Sequence, residues 1–368
     1  RCIMNSLVDT QISFGKDGIC HHCLRYDEVK VKKTVPAQER EATLDLLINK
    51  IKKSGEGKEY DCLIGVSGGV DSTYVAWLTK KYGLRPLAVH LDNGWNSELA
   101  VSNIEKALNI LDVDLHTYVL DWEEFRDLQL AFLHSSTPDG EVPSDHAILA
   151  SLWQEASKYK IKYIINGANF ASESISVPNW SYGHSDWKYI KSIHKAFGEK
   201  KLDSFPRYTI FDLFWFNLVK GIRTVSLLNY VNYDKAVAMK LLEEKLGWVY
   251  YGGKHYESIY TRFWQGYALP RKFSIDKRYG HLSDLINSGQ ITREEALEEI
   301  KKSPYPSKEM EEEDRLYVIK KLNLNEESFK DWMAKEARSF QDFPNQYRAL
   351  VWIKIIVNWM REMKIYPR

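Results

Sequence analysis

Ser67-Gly68-Gly69-Val70-Asp71-Ser72 combines hydroxyls, glycines and a carboxylate in a way that suits a phosphate. Gly68 and Gly69 allow positive φ and keep Cβ atoms out of the path of an oxyanion. Ser67 and Ser72 add hydroxyl donors. Asp71 can hold Mg²⁺, which takes oxygen ligands and accompanies phosphates. A second group has metal-binding spacing: Cys20-His21-His22-Cys23, with Cys2 upstream. Thiolates so spaced chelate one tetrahedral Zn²⁺, here in a structural role. The fourth ligand is expected from His21, His22 or a residue preceding Arg1, since the sequence begins with Arg rather than Met. A redox pair is the rival reading of the cysteines, without a thioredoxin-like context to support it. Cys62 is expected to pack in the core.

Further polar residues fall where strands should end. His90, Leu91 and Asp92 close one apolar run, and Asn166-Gly167-Ala168-Asn169 closes another, followed by Glu173. A carboxylate such as Asp92 at a strand end often handles ribose or metal. Gly167 permits close approach of a nucleotide, and the Asn169 amide offers donors. The stretch from Trp180 to Arg223 interleaves Tyr182, Lys188, Arg207 and Arg223 with further basic and aromatic residues. Its bland reading is a solvated surface; its functional reading is a clamp for an anionic substrate.

The elements that must position these residues alternate. Leu63, Ile64 and Val66 predict a buried strand, and Val70 to Tyr82 carries helical spacing. Strand, glycine turn and helix N-terminus aim backbone N–H groups and the positive end of a helix dipole at one point. Further strands are predicted over Pro86–Leu91, Leu115–Leu120 and Ile161–Ile165. Helices are predicted over Ala37–Lys53, Asn96–Leu108, Trp122–His134, Ser144–Tyr159, His281–Lys302 and Phe343–Met363. Within the fifth of these, Thr292 and Glu295 form a capping box. Strands separated by helices imply a parallel sheet, and such sheets bind ligands at the carboxyl ends of their strands.

At 368 residues the chain is expected to divide into a cysteine-bearing segment (1–35), a nucleotide domain (36–210) and a mostly helical region (211–368) that completes the substrate site and a partner interface. A net charge of +1 argues against a nucleic-acid binder. No apolar run reaches the ~20 residues of a membrane span, and no secretory leader is read. Four cysteines in this length do not make a secreted disulfide framework, so a cytoplasmic protein is expected.

The hexapeptide SGGVDS resembles the PP-loop of the N-type ATP pyrophosphatases, which cleave ATP to AMP and pyrophosphate. A Walker A string, GxxxxGK[ST], does not occur. The cysteine head, Asn166 to Glu173, and the segment Asp276-Lys277-Arg278-Tyr279-Gly280-His281 through Ala296 together resemble one branch of that superfamily: the N-acetyl sugar amidotransferases of the WbpG and PseA type. In that family the head opens with C-x-x-C, of which only Cys2 is present here.

The resemblance implies an α/β fold, a parallel five-stranded HUP-like (adenine nucleotide alpha hydrolase-like) sheet with flanking helices. It implies ATP and Mg²⁺ held by Val66 to Ser72, with adenine on the backbone of Val89, His90 and Leu91 and further nucleotide contacts from Asp92, Gly167 and Asn169. Asp71, Ser72, Lys188 and Arg207 are the expected catalytic residues. Glu173, Tyr182, Arg207 and Arg223 are the expected substrate contacts. The implied reaction adenylates an acetamido group of a nucleotide-linked sugar acid and replaces its oxygen with nitrogen, for lipopolysaccharide or O-antigen synthesis. Ammonia would come from glutaminase and cyclase-like partner subunits. A tRNA-thiolating PP-loop enzyme is the alternative, and a zinc-ribbon interaction module with an inactive nucleotide fold is the non-enzymatic one.

Overall fold

The computed structural model describes residues 1–253 and 256–363, without the side chains of residues 361 and 362. Its centre is β1 (Cys62–Gly65), whose first three side chains are fully buried. β2 (Pro86–Asp92) and β3 (Leu115–Val119) extend the sheet on one side. β4 (Tyr163–Asn166) and β5 (Arg223–Ser226) extend it on the other. All neighbours pair in parallel, in the order β3-β2-β1-β4-β5. The expected five-stranded parallel sheet is therefore present. β5 carries no clear strand signal in the sequence, because Arg-Thr-Val-Ser lies on an edge and is at most half-buried.

The chain steps outward from β1 to β3 and then returns to the far side of β1. That reversal makes a switch point between β1 and β4, where the helices before and after diverge and a crevice opens. The helix Val70–Lys81 follows β1 and packs against the helices Glu98–Leu111 and Lys235–Leu246. The helix Val142–Lys158, which leads into β4, lies across β1, β2 and β4. Right-handed crossovers in opposite directions put these two layers on opposite faces.

The cysteine head is not a separate appendage. Cys2, Met4, Cys20 and Cys23 belong to the same buried cluster as Trp95, Phe132, Tyr260 and Trp264. The predicted helix His281–Lys302 is two helices, Arg278–Ser288 and Arg293–Lys301. Gly289, at φ +78°, ends the first, and Thr292 with Glu295 caps the second. No helix among the described residues is long and apolar enough to cross a membrane.

Candidate active site

The glycine loop sits where β1 ends. Val66 N–H still donates to Val89 O of β2 at 3.0 Å, after which the chain turns away. Gly68 has φ +78°, and a Cβ there would stand 2.4 Å from Ala100 O, so only glycine fits. Gly68 O accepts the Trp248 indole N–H at 2.9 Å. Gly69 N–H reaches Ser67 Oγ at 3.3 Å, and Val70 N–H reaches the Tyr251 hydroxyl at 3.3 Å. Ser72 Oγ accepts Ser67 N–H at 3.2 Å. The Tyr233 hydroxyl donates to Asp71 Oδ1. Burial and the Asp71 charge push that phenol far above its ordinary range, so it remains a donor at any working pH.

The β4 loop closes on this turn: a Cβ on Gly167 would be 3.0 Å from the Asp71 carbonyl carbon and Ser72 N. Ser67, Asp71, Ser72 and Gly167 line one cavity of about 230 Å³. Glu173, Lys235, Tyr251 and Glu257 complete its wall. The cavity thus joins hydroxyls, helix-terminal N–H groups, a lysine and three carboxylates. This donor set fits a polyphosphate with Mg²⁺, a hard cation that takes carboxylate oxygens.

The other expected contacts divide. Leu91 and Val66 are buried, so what they can offer a nucleotide is backbone. His90 is engaged inside the protein: its Nδ1–H donates to Val66 O at 2.9 Å, and its Nε2 accepts from the Asn96 amide at 3.0 Å. It fixes the start of the loop rather than facing a ligand. Asp92 Oδ1 accepts Gly94 N–H at 2.8 Å and so shapes the turn after β2. Asn169 Oδ1 accepts from Ser172, while its buried Nδ2 has no partner.

Two expected substrate contacts lie elsewhere. Tyr182 packs against Phe340 and Tyr347 and donates to Asp186, because its ring is apolar enough to be taken into the core. Arg223 pairs with Tyr163 at the amino end of β5, the edge of the sheet opposite the glycine loop. Sequence proximity to the site did not survive the parallel crossover. Lys188 is exposed on the helix Trp187–Phe197, and Arg207 is exposed with its guanidinium 5.5 Å from the Trp187 ring. Neither lines the cavity.

Tyr233, Lys235, Trp248, Tyr251 and Glu257 escaped sequence reading. Each is an isolated side chain in a region of weak motif content, and its role comes from long-range packing onto the loop. Asp139, Glu141, Asp145 and Lys277 escaped it too, and form a carboxylate-rich cluster around the start of the helix Val142–Lys158.

The thiols of Cys2, Cys20 and Cys23 lie within 4.8 Å of one another and are all buried. Cys2 and Cys20 are 3.5 Å apart, too far for a disulfide and close to the ~3.8 Å that tetrahedral Zn–S bonds impose. Hydrogen bonds from Cys2 and Cys20, with Arg1 nearby, hold the Cys23 thiol far below its ordinary value, so it leans to thiolate. His21 and His22 do not complete this set. His22 Nε2 binds Asp9 at 2.7 Å and His21 Nδ1 accepts Ser13 N–H at 3.1 Å, forming a separate group. Asn287 Oδ1 is the polar neighbour, 3.3 Å from Cys23 Sγ. Protein purified without chelator is expected to carry one zinc per chain, and Cys23→Ser to lose it with a lower Tm. Metal analysis and a thermal melt test this; zinc-free protein of unchanged Tm rejects it.

Residues 257–357 match the family described as LPS biosynthesis protein WbpG-like, C-terminal domain. The WbpG-type resemblance read from the sequence is borne out over residues 257–357, which are joined here to a glycine loop on a parallel α/β sheet. That domain supplies Glu257 to the cavity. No curated protein matches the chain. Among solved structures, an NMN synthetase from Francisella tularensis aligns at 16% identity over 57% of this chain and 96% of its own, with a TM-score of 0.29. An NH3-dependent NAD synthetase from Campylobacter jejuni aligns at 14% identity over 56% and 93%, with a TM-score of 0.30. A protein titled a predicted subunit of tRNA methyltransferase, from Methanocaldococcus jannaschii, aligns at 15% identity over 50% and 74%, with a TM-score of 0.29. At these scores the likenesses carry no argument about function.

Proposed function

We propose that this chain is an ATP-dependent, AMP-forming amidotransferase that converts an acetamido group of a nucleotide-linked sugar into an acetamidine for a bacterial surface glycan. The observation that carries this reading is one cavity: the Ser67–Ser72 loop on one side and Glu257 of the WbpG-like segment on the other.

An amide is a poor electrophile, so its oxygen must first be made a leaving group. The loop N–H groups and the serine hydroxyls bind the phosphates and orient the α-phosphorus toward the amide oxygen. They also stabilise charge on the departing pyrophosphate. Mg²⁺, when bound, would neutralise phosphate charge, with Asp71, Glu173 and Glu257 as the oxygens in reach. The adenylated oxygen then leaves with AMP as ammonia attacks its carbon. Lys188 and Arg207, exposed beside Trp187, offer charge and a ring face to the anionic sugar nucleotide. Ammonia would reach the site from glutaminase and cyclase-like partner subunits.

A thiolating enzyme needs a persulfide-forming cysteine at the site. Cys2, Cys20 and Cys23 form their own cluster, and Cys62 is fully buried at the first position of β1, its thiol pushed well up by burial. Cys62 thus stands at the amino end of β1, and no cysteine among the described residues lines the cavity.

Purified protein with ATP, ammonium chloride and a panel of UDP-linked diacetamido sugars is expected to release pyrophosphate. The product should be about one mass unit lighter than the sugar, as oxygen is replaced by NH. Glutamine should not replace ammonium. ATP cleavage only with tRNA and a sulfur donor would refute the reading.

A further inference from the structure

Asp139, Glu141 and Asp145 crowd the start of the helix Val142–Lys158. Asp139 and Glu141 are buried. Asp145, beside them on the first turn of the helix, is exposed to solvent. Lys277 Nζ lies 3.1 Å from Glu141 Oε2, and the Gln265 amide donates to the same oxygen at 2.9 Å. The Ser181 hydroxyl donates to Asp139.

The cluster lies at the carboxyl edge of the sheet. Leu152 touches β1: its methyls are 3.4 Å from where a Gly65 Cβ would stand. Asp145 is seven residues earlier, on the same helix face. At 1.5 Å per residue it stands about 10 Å beyond Leu152, over the carboxyl ends of the strands. The Asn93 amide, just past β2, donates to the neighbouring Ser144 Oγ at 3.2 Å, which anchors this helix end there.

A second observation points to a ligand. The Tyr260 hydroxyl is buried and has no hydrogen-bond partner, and Glu141 and Asp139 act on its phenol. A buried hydroxyl without a partner is costly, and a small polar ligand satisfies it. Carboxylates beside it select for a cation that carries N–H donors.

Resting on the amidotransferase reading, we infer that this carboxylate cluster receives the nitrogen nucleophile as ammonium and that Asp145 removes its proton. The carboxylate takes one N–H proton. The freed nitrogen lone pair forms the C–N bond at the adenylated carbon. The C–O bond to AMP then breaks, its electron pair leaving on the AMP phosphate. A second N–H proton passes to that phosphate as the amidinium forms. Atoms and charge balance without an oxidant or reductant.

The electrostatics suit this task. Burial, with Glu141 and Asp139 adding and Lys277 opposing, pushes the Asp145 carboxyl up to about 8. Tyr208 and His184 also face this region, and burial keeps His184 below its ordinary value. A base poised near working pH is the efficient kind.

The test uses the full chain with ATP, ammonium chloride and the sugar nucleotide that supports turnover. Asp145→Asn is expected to slow amidine formation by about 10²–10³-fold and to abolish the rise in rate through about pH 8. Sugar-dependent exchange of labelled pyrophosphate into ATP needs no ammonia and should persist. Asp145→Glu should recover part of the rate. Folding is checked by Tm. An acid whose folded pKa is raised costs stability as pH climbs from about 4 to about 8, so the Asn variant should gain on wild type over that range. Amidine formation by Asp145→Asn at wild-type rate and pH profile, with exchange intact, would overturn the assignment. No exchange in wild type would overturn the reading beneath it, and the assignment with it.

Discussion

Asp71→Asn is expected to cut pyrophosphate formation by about 10²–10³-fold, the range seen when one charge-stabilising group is lost from a preorganised site. The protein should remain folded. Asp71 lies in the first turn of the helix Val70–Lys81, where a carboxylate is worth about 0.3–1 kcal/mol to the helix. Asparagine keeps an oxygen for the Tyr233 hydroxyl, so the packing around the loop is preserved and only the charge is removed. Tyr233→Phe makes the complementary change: the charge stays and the hydrogen bond goes. Its effect should be smaller, about tenfold, the value of one modest hydrogen bond. The measurement is sugar-dependent pyrophosphate release alongside a thermal melt. Normal release by Asp71→Asn would dismiss the glycine loop as the ATP site.

The contrast between Asp71 and Tyr233 shows what could be read before folding. Asp71 is part of a local pattern: strand, two glycines, hydroxyls and a helix start are adjacent in the chain, and local geometry follows from adjacent residues. The cysteine head was legible for the same reason, since three thiols at fixed spacing have few other uses. The Thr292–Glu295 capping box is another local signal, and it forms as read. Tyr233 carries no such signal. It is one tyrosine among 22, and it reaches the loop from 162 residues away. Asp145 likewise looks like an ordinary helix-surface charge until the crossover into β4 brings its helix to the carboxyl edge of the sheet, where Lys277 pairs with Glu141. Arg223 shows the converse. The stretch that held it was rightly seen as basic, but a parallel strand has two ends, and pairing with Tyr163 placed Arg223 at the wrong one.

Asp284→Ala is expected to be the most destabilising change at the site that removes no ligand contact. Asp284 is 1% exposed on the helix Arg278–Ser288. Its carboxylate accepts Ser174 N–H at 2.8 Å, Ile175 N–H at 2.9 Å and the Ser174 hydroxyl. Hydrogen bonds to a charged group contribute about 1.5–3 kcal/mol each, and truncation leaves the buried donors unmet. A loss of about 3–5 kcal/mol follows, which for a chain of this size lowers Tm by about 4–6 °C. The same helix holds the active-site loop through His281 Nδ1 and Ser172 O at 3.2 Å, and the cysteine head through Ile3 N–H and Ser283 Oγ at 3.3 Å. It is therefore the strut that joins the cysteine head, the WbpG-like segment and the glycine-loop cavity. Because Glu173 immediately precedes Ser174, slack in that loop should raise the KM for ATP in the fraction that stays folded. Thermal melts and ATP titration of pyrophosphate release measure the two effects. A variant with unchanged Tm and unchanged KM would show that the loop is held by its own turns, and that the strut does not transmit order to the site.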